Sequence, residues 1–340
     1  MPTEDELQTT ISRMVQPGKG ILAADESPPT IAKRFQAIGV ESTPEKRRAY
    51  RALLFTTPGI EDFISAVILF DETLSQSADD GTPLATVLDR KGIVPGVKVD
   101  KGKIPLAYAP GDEITQGLDG LAERLRTYQS QGARFAKWRA VYAIASHNPT
   151  RLGIEANAEM LARYAAVCQN EGFVPIVEPE VLIDGDHTLD RCFEVTEAVL
   201  EAVFHALHRH RVILEYTVLK PSMALPGKAC PAKASPEQVA EATVKVLRRT
   251  VPAAVPSINF LSGGLGPEDA TANLNAMNAL FPNAPWALSF SYARALQQPV
   301  LSAWAGKAEN GPVAQQALYK RARLNGLARF GQYKPEMERE

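Results

Sequence analysis

The chain has little cysteine: three residues in 340, Cys168, Cys192 and Cys230, none of them in a Cys-x-x-Cys pair. Three is too few for a disulfide scaffold, so reduced thiols and a cytoplasmic location are expected. Charge of one sign is missing as well. A formal net charge of -2 leaves no electrostatic footprint for nucleic acid or an anionic membrane surface, and neither is expected as a partner. Long hydrophobic runs are absent: the longest uncharged stretch, residues 270–293, carries several Asn and two prolines and is no membrane span. The N-terminus, Met1-Pro2-Thr3-Glu4-Asp5-Glu6, is acidic and lacks an apolar core, so neither a signal nor a transit peptide is expected. Histidine is scarce too. None of His147, His187, His205, His208 and His210 falls on a strand end, and no carboxylate or Cys completes a ligand set at the usual spacing, so no catalytic metal and no other cofactor is expected.

What is present is an ordinary globular composition, 45% hydrophobic and 22% charged, with enough apolar residues for a sizeable core. Apolar strand-like runs cover residues 20–25, 63–70, 93–100, 134–141, 174–180, 212–220, 257–262 and 286–291. Segments of helical spacing lie between them, with start signals at Thr43-Pro44-Glu45-Lys46 and Ser235-Pro236-Glu237-Gln238. In the helix expected near 154–170, Ile154, Ala158, Leu161, Ala165 and Cys168 share one face. Strict alternation implies parallel strands joined by helical crossovers. Eight such units favour an α/β fold of the closed (β/α)8 TIM-barrel class over an open doubly wound sheet. No Gly-x-Gly-x-x-Gly fingerprint opens a helix after the first strand, which weakens the dinucleotide-binding option further. With no linker or charge block dividing the chain, residues 1–340 read as a single domain, with a helical N-terminal extension over 1–17 and a short tail over 331–340.

In such a barrel the active site forms at the C-terminal ends of the strands. The charged residues collect there. The strand ends read Asp25-Glu26-Ser27, Asp71-Glu72, Lys98-Val99-Asp100, Lys137-Trp138-Arg139, Glu178-Pro179-Glu180, Lys220, Ser262-Gly263-Gly264 and Ser291-Tyr292-Ala293-Arg294. Residues two apart on a strand share a face, so Lys98 with Asp100, Lys137 with Arg139, and Glu178 with Glu180 each point the same way. Any one pair could be a solvated ion pair; together they outline a cavity of cations and carboxylates.

Lys220 is the candidate nucleophile. It ends an apolar, β-branched run, and Pro221 stops further ladder pairing and holds it extended. Burial and neighbouring cations would lower its pKa and make the amine nucleophilic near neutral pH. The alternative is a lysine snorkelling from a strand end into solvent. Ser262-Gly263-Gly264-Leu265-Gly266, leading into a helix start at Pro267, suits an anion, and Ser291 and Arg294 face the same spot; a plain turn is the other reading. A second anion site is suggested by Ser27, Thr30, Lys33 and Arg34 with Lys98, although Lys33 and Arg34 could be the solvated face of a helix.

The stretches Gly18-Lys19-Gly20-Ile21-Leu22-Ala23-Ala24-Asp25-Glu26-Ser27, Lys98-Val99-Asp100-Lys101-Gly102, Phe135-Ala136-Lys137-Trp138-Arg139, Ile176-Val177-Glu178-Pro179-Glu180, Leu219-Lys220-Pro221, Phe260-Leu261-Ser262-Gly263-Gly264 and Phe290-Ser291-Tyr292 resemble the class I (Schiff-base) fructose-1,6-bisphosphate aldolases. The resemblance covers about residues 18 to 330. It implies reversible cleavage of fructose 1,6-bisphosphate to dihydroxyacetone phosphate and glyceraldehyde 3-phosphate, in glycolysis, gluconeogenesis or carbon fixation, by a homotetramer.

It also implies roles. Lys220 would form the iminium, Glu178 would shuttle protons, and Asp25 would orient the C4 hydroxyl. Lys137 would stabilise the carbinolamine, with Glu180 as electrostatic support. Ser262, Gly263, Ser291 and Arg294 would take the 1-phosphate; Ser27, Thr30, Lys98, Arg139 and Arg34 would take the other end of the sugar. Two departures from the family pattern stand out. Ala293 occupies a position where many members have Gly, so a Cβ could crowd the 1-phosphate loop or forbid a positive φ. Eukaryotic members carry a longer tail ending in Tyr, whereas Tyr333 is the last tyrosine here, which leaves tail-assisted proton exchange in question. A related ketose phosphate as substrate, or a non-catalytic scaffold on the same fold, are the rival expectations; the intact Asp25, Lys137, Glu178 and Lys220 set argues against the scaffold.

Overall fold

The computed structural model describes residues 4–339. Among the described residues ten strands are present: β1 (Gly20–Ala24), β2 (Ile64–Leu69), β3 (Val94–Lys98), β4 (Lys103–Pro105), β5 (Glu113–Thr115), β6 (Phe135–Tyr142), β7 (Val174–Val181), β8 (Val218–Leu219), β9 (Ser257–Phe260) and β10 (Ala287–Tyr292). Eight close into a barrel in the order β1-β10-β9-β8-β7-β6-β3-β2, every pair parallel. The short β4–β5 hairpin is antiparallel and was not expected from the sequence, because its three-residue strands carry no periodic signal. The expected helix starts are present: Thr43 accepts from the Lys46 N–H at the head of Pro44–Phe55, and Ser235 and Gln238 form a capping box at the head of Pro236–Thr250.

Two apolar layers result from the alternation of side chains along each strand. Leu22, Ala24, Val67, Leu69, Val97, Ala136, Trp138, Val177 and Leu219 point outward into the core shared with the helices. Ile21, Ala23, Ala66, Ile68, Val94, Phe135, Val174, Ile176 and Val218 point into the barrel. The helix Glu4–Met14 closes the barrel floor. Its residues Leu7, Ile11 and Met14, spaced by four and three, belong to the same inner cluster. The ends of the expected extension and tail, residues 1–3 and 340, lie outside the described residues.

The expected strand over 212–220 is shorter than the sequence suggests. Residues Leu214–Tyr216 form a 3-10 turn, and pairing begins at Val218, opposite Ile176 on one side and Ser257 on the other. Before Val218 the neighbour on one side, β9, has not yet begun, since Ser257 is its first residue. Gln169 instead takes up the backbone of Ile213, accepting from its N–H at 2.8 Å and donating to its carbonyl at 2.7 Å. Local β-branched propensity was overridden by the absence of a ladder partner on that side. The end of the run keeps its expected role, since the Lys220 N–H donates to the Val177 carbonyl at 2.8 Å.

Gly96, paired with Phe135 across β3 and β6, makes room for that ring: a Cβ at 96 would lie 2.3 Å from Phe135 Cζ. Gly96→Ala should therefore destabilise the fold by about 1–3 kcal/mol through overpacking, read as a lowered midpoint in urea unfolding. An unchanged midpoint would contradict this account of the barrel interior.

Candidate active site

On five of the eight barrel strands the inner face is apolar at the floor and becomes ionic at the C-terminal lip, with no change of parity, while β9 and β10 present Ser257, Asn259, Ser289 and Ser291 inward. On the first strand Ile21 and Ala23 lead to Asp25; on β3 Val94 and Gly96 lead to Lys98. On β6 Phe135 leads to Lys137 and Arg139, on β7 Val174 and Ile176 lead to Glu178 and Glu180, and on β8 Val218 leads to Lys220. A strand neighbour sets each level: Lys98 is opposite Lys137, and Arg139 is opposite Glu178.

These groups enclose a cavity of about 300 Å³ at the barrel mouth. Its lining brings together Lys220, Glu178, Asp25, Lys137 and Glu180 with Ser27, Thr30, Arg34, Lys98, Arg139, Ser262, Gly263, Ser291 and Arg294. Lys33 is exposed on the helix Pro28–Gln36 and does not line the cavity, so for it the solvated-face alternative holds. Tyr333 is buried away from the cavity and donates from its hydroxyl to Glu338 at 3.0 Å. None of the five histidines lines the cavity, and among the described residues no group of three or more His, Cys, Asp or Glu is arranged to hold a metal ion.

The electrostatics divide the two buried lysines. Lys137 donates to Asp25 Oδ2 at 2.9 Å and lies 2.7 Å from Glu178 Oε2. Burial pushes its pKa down, but Asp25, Glu178 and Asp100 outweigh burial and hold it above the usual lysine range. Lys220 lies 3.2 Å from Glu178 Oε1 and is 3% exposed. Burial lowers its pKa, Lys137 lowers it further, and Glu178 and Asp25 oppose without cancelling. One lysine is thus held as a cation and the other is biased toward the free amine. Burial would raise Asp25 and Glu178, yet the neighbouring lysines hold both below the usual carboxylate range. Glu178 is consequently ionised and can accept a proton.

The rim suits anions. Gly263 and Gly264 adopt φ of 48° and 92°, conformations that leave their backbone N–H groups open to close approach. Arg294 donates to the Gly264 carbonyl, joining the loop after β10 to the glycine loop. The Ser291 hydroxyl is buried, lines the cavity and has no protein partner. Ala293 takes φ -100° and ψ -81°, so the feared conflict with a positive φ does not arise, while its place in the cavity lining remains. Glu180 pairs with Arg139, and Lys98 lies 3.1 Å from Asp100.

Glu26 also lines the cavity and was given no role from sequence. It follows Asp25, so its side chain faces the other layer, where Arg51 meets it at 2.6 Å. The available signal was Arg51 itself: it lies beside Tyr50 and one turn before Leu54 and Phe55, on the buried face of its helix.

Comparison with known proteins follows the same lines. The family model described as "Fructose-bisphosphate aldolase class-I" matches residues 6–340. The chain is 55% identical over 331 residues to the "Probable fructose-bisphosphate aldolase class 1" of Xanthomonas campestris, covering 97% of this chain and 99% of that one. It is 54% identical to "Fructose-bisphosphate aldolase 6, cytosolic" of Arabidopsis thaliana, over 97% of this chain and 92% of that one. Among solved structures, fructose-bisphosphate aldolase from Plasmodium falciparum, crystallised with TRAP and a small-molecule inhibitor, superposes with a TM-score of 0.95 at 52% identity, covering 97% of this chain and 95% of that one.

Because the Lys137 charge helps to depress Lys220, Lys137→Met should move the titration of Lys220 toward higher pH. The pH profile of Lys220 acylation by an amine-directed reagent, followed by peptide mass mapping, reads this directly. A profile that stays in place or moves to lower pH would contradict the coupling.

Proposed function

The chain belongs to the class I fructose-bisphosphate aldolase family, and from that premise we propose how its own residues divide the work of the reaction. The reaction is the reversible cleavage of fructose 1,6-bisphosphate to dihydroxyacetone phosphate and glyceraldehyde 3-phosphate through a lysine Schiff base. The observation that carries the assignment is the contrast between the two buried lysines, one held charged by two carboxylates and one biased toward the amine.

The Lys220 amine attacks the C2 carbonyl, and proton transfer gives a carbinolamine. Glu178 takes the proton that Lys220 gives up on becoming the free amine and returns it to the carbinolamine hydroxyl, which leaves as water and gives the iminium, with Glu178 again ionised. Glu178 then takes the C4 hydroxyl proton as the C3–C4 bond breaks, and that bond's electrons move onto the iminium nitrogen to give an enamine. Protonation at C3 and hydrolysis release the second product and return the amine. Asp25 orients the C4 hydroxyl. Lys137 stabilises the carbinolamine oxygen and keeps Lys220 in its reactive form, while Glu180 fixes Arg139. Ser262, Gly263, Ser291 and Arg294 take the 1-phosphate through backbone and side-chain donors. Ser27, Thr30, Arg34, Lys98 and Arg139 take the distal end of the sugar.

A cytoplasmic location and a homotetramer belong to the same proposal. The first is supported by the cytosolic relative and by the finding that no helix among the described residues is long and apolar enough to cross a membrane. The second rests on family membership and is read by light scattering.

Two measurements test the assignment. Borohydride reduction in the presence of dihydroxyacetone phosphate should leave the adduct on Lys220, and Lys220→Met should lower kcat by at least about a thousandfold. An adduct on another lysine would sink it. Ala293→Gly should lower KM for the bisphosphate by about two- to threefold by opening the 1-phosphate loop; an unchanged KM would remove any cost of that methyl.

A further inference from the structure

Glu26 stands at a junction of three elements. Its side chain is 3% exposed, and its two oxygens divide their partners. Oε2 lies 2.6 Å from the Arg51 guanidinium, which is itself 3% exposed on the helix Pro44–Phe55. Oε1 accepts from Arg34 and, at 2.7 Å, from the Gln297 amide. Gln297 is held in turn: it donates to the Ala23 carbonyl at 2.6 Å and accepts from the Tyr50 hydroxyl at 3.0 Å. Tyr50 is locked in an aromatic cluster with Phe35 and Trp304, at ring separations of 5.6 Å and 5.2 Å. Of these groups Arg34 and Glu26 border the cavity, and Arg34 is the more open, with 21% of its side chain exposed against 3%.

The charges at this junction do not balance. One carboxylate serves two guanidiniums, so the group carries a net positive charge. A carboxylate paired to Arg34 alone would cancel the charge that an incoming phosphate needs, and a phosphate would have to break a partly buried ion pair to bind. Arg51 removes that conflict. It is buried and out of reach of solvent, so it stays on Glu26. Glu26 is left as a hydrogen-bond acceptor that fixes the direction of Arg34.

We propose that Arg51 is a positioning residue for binding the distal phosphate: by neutralising Glu26, it lets that carboxylate aim Arg34 into the cavity without cancelling the Arg34 charge. Preference for a doubly phosphorylated ketose over a singly phosphorylated one then depends on a residue that does not line the cavity. The inference rests on the assignment of Arg34 to the distal end of the sugar.

The test compares fructose 1,6-bisphosphate with fructose 1-phosphate, which lacks the distal phosphate. Arg51→Met should raise KM for the bisphosphate about tenfold, while kcat/KM for fructose 1-phosphate stays within about twofold. Arg51→Lys, which keeps the charge, should restore most of the loss. The double variant Arg51→Met with Glu26→Gln should also recover, to within about threefold of wild type, because the carboxylate that would now capture Arg34 is gone.

A merely structural role predicts the opposite pattern, with equal losses on both substrates and a double variant no better than the single one. Either result overturns the inference. Should Arg51→Met fail to fold, the double variant alone decides: recovered preference for the bisphosphate upholds the inference, and its loss overturns it. Calorimetric binding of the bisphosphate follows the same order independently of turnover. Failure of the catalytic assignment would appear instead as a wild type with no trapped adduct on Lys220.

Discussion

The Lys137 ammonium, held between Asp25 and Glu178, sets the ionic state of everything around it. Four titratable groups share a site with little access to solvent, an arrangement tolerable only if the charges compensate. Lys137 keeps both carboxylates ionised and is kept charged by them. That leaves Lys220, its near neighbour, as the group for which charge is least favourable. Removing Lys137 would strand two buried carboxylates and draw Lys220 back toward the ammonium form. Nucleophilicity at Lys220 is therefore a property of the cluster, not of the lysine alone.

The barrel makes such a cluster possible. Apolar residues fill the interior from the floor upward, and the helix Glu4–Met14 seals the floor with Leu7, Ile11 and Met14. Charged groups on the inner face gather at the C-terminal lip, where the loops give them partners and an opening. Packing below and ion pairing above are linked through single residues such as Phe135, which fills the space at Gly96 two positions before Lys137.

A second ionic layer lies outside the first. Asp25 and Glu26 are adjacent in the chain and face opposite ways, so one end of one strand feeds two networks. The inner network is the one to which we assign the reacting carbons. The outer one, through Arg51 and Arg34, is the one proposed to govern how the rim presents positive charge. Separating the functions by parity lets a single turn of chain serve both, although the two carboxylates border the same cavity.

Much of this was legible in the sequence. The eight strand runs, the charges at their ends and the Lys220-Pro221 stop follow from alternation and from the fixed backbone of proline, which are local properties. Other features could not be read. The β-branched run from Val212 looks like strand, yet it pairs only from Val218, where β9 begins, and residues 214–216 turn as a 3-10 helix instead. Arg51 sits on the apolar face of its helix, but its partner Glu26 is settled only when that helix docks. The sequence determined which face of each strand every charged residue occupies, because side-chain parity depends on nothing beyond the chain itself. Only the tertiary structure decided which charges meet. Lys137 and Asp25 are 112 positions apart, and the difference between Lys137 as a fixed cation and Lys220 as an amine depends on distances that exist only once the barrel has closed.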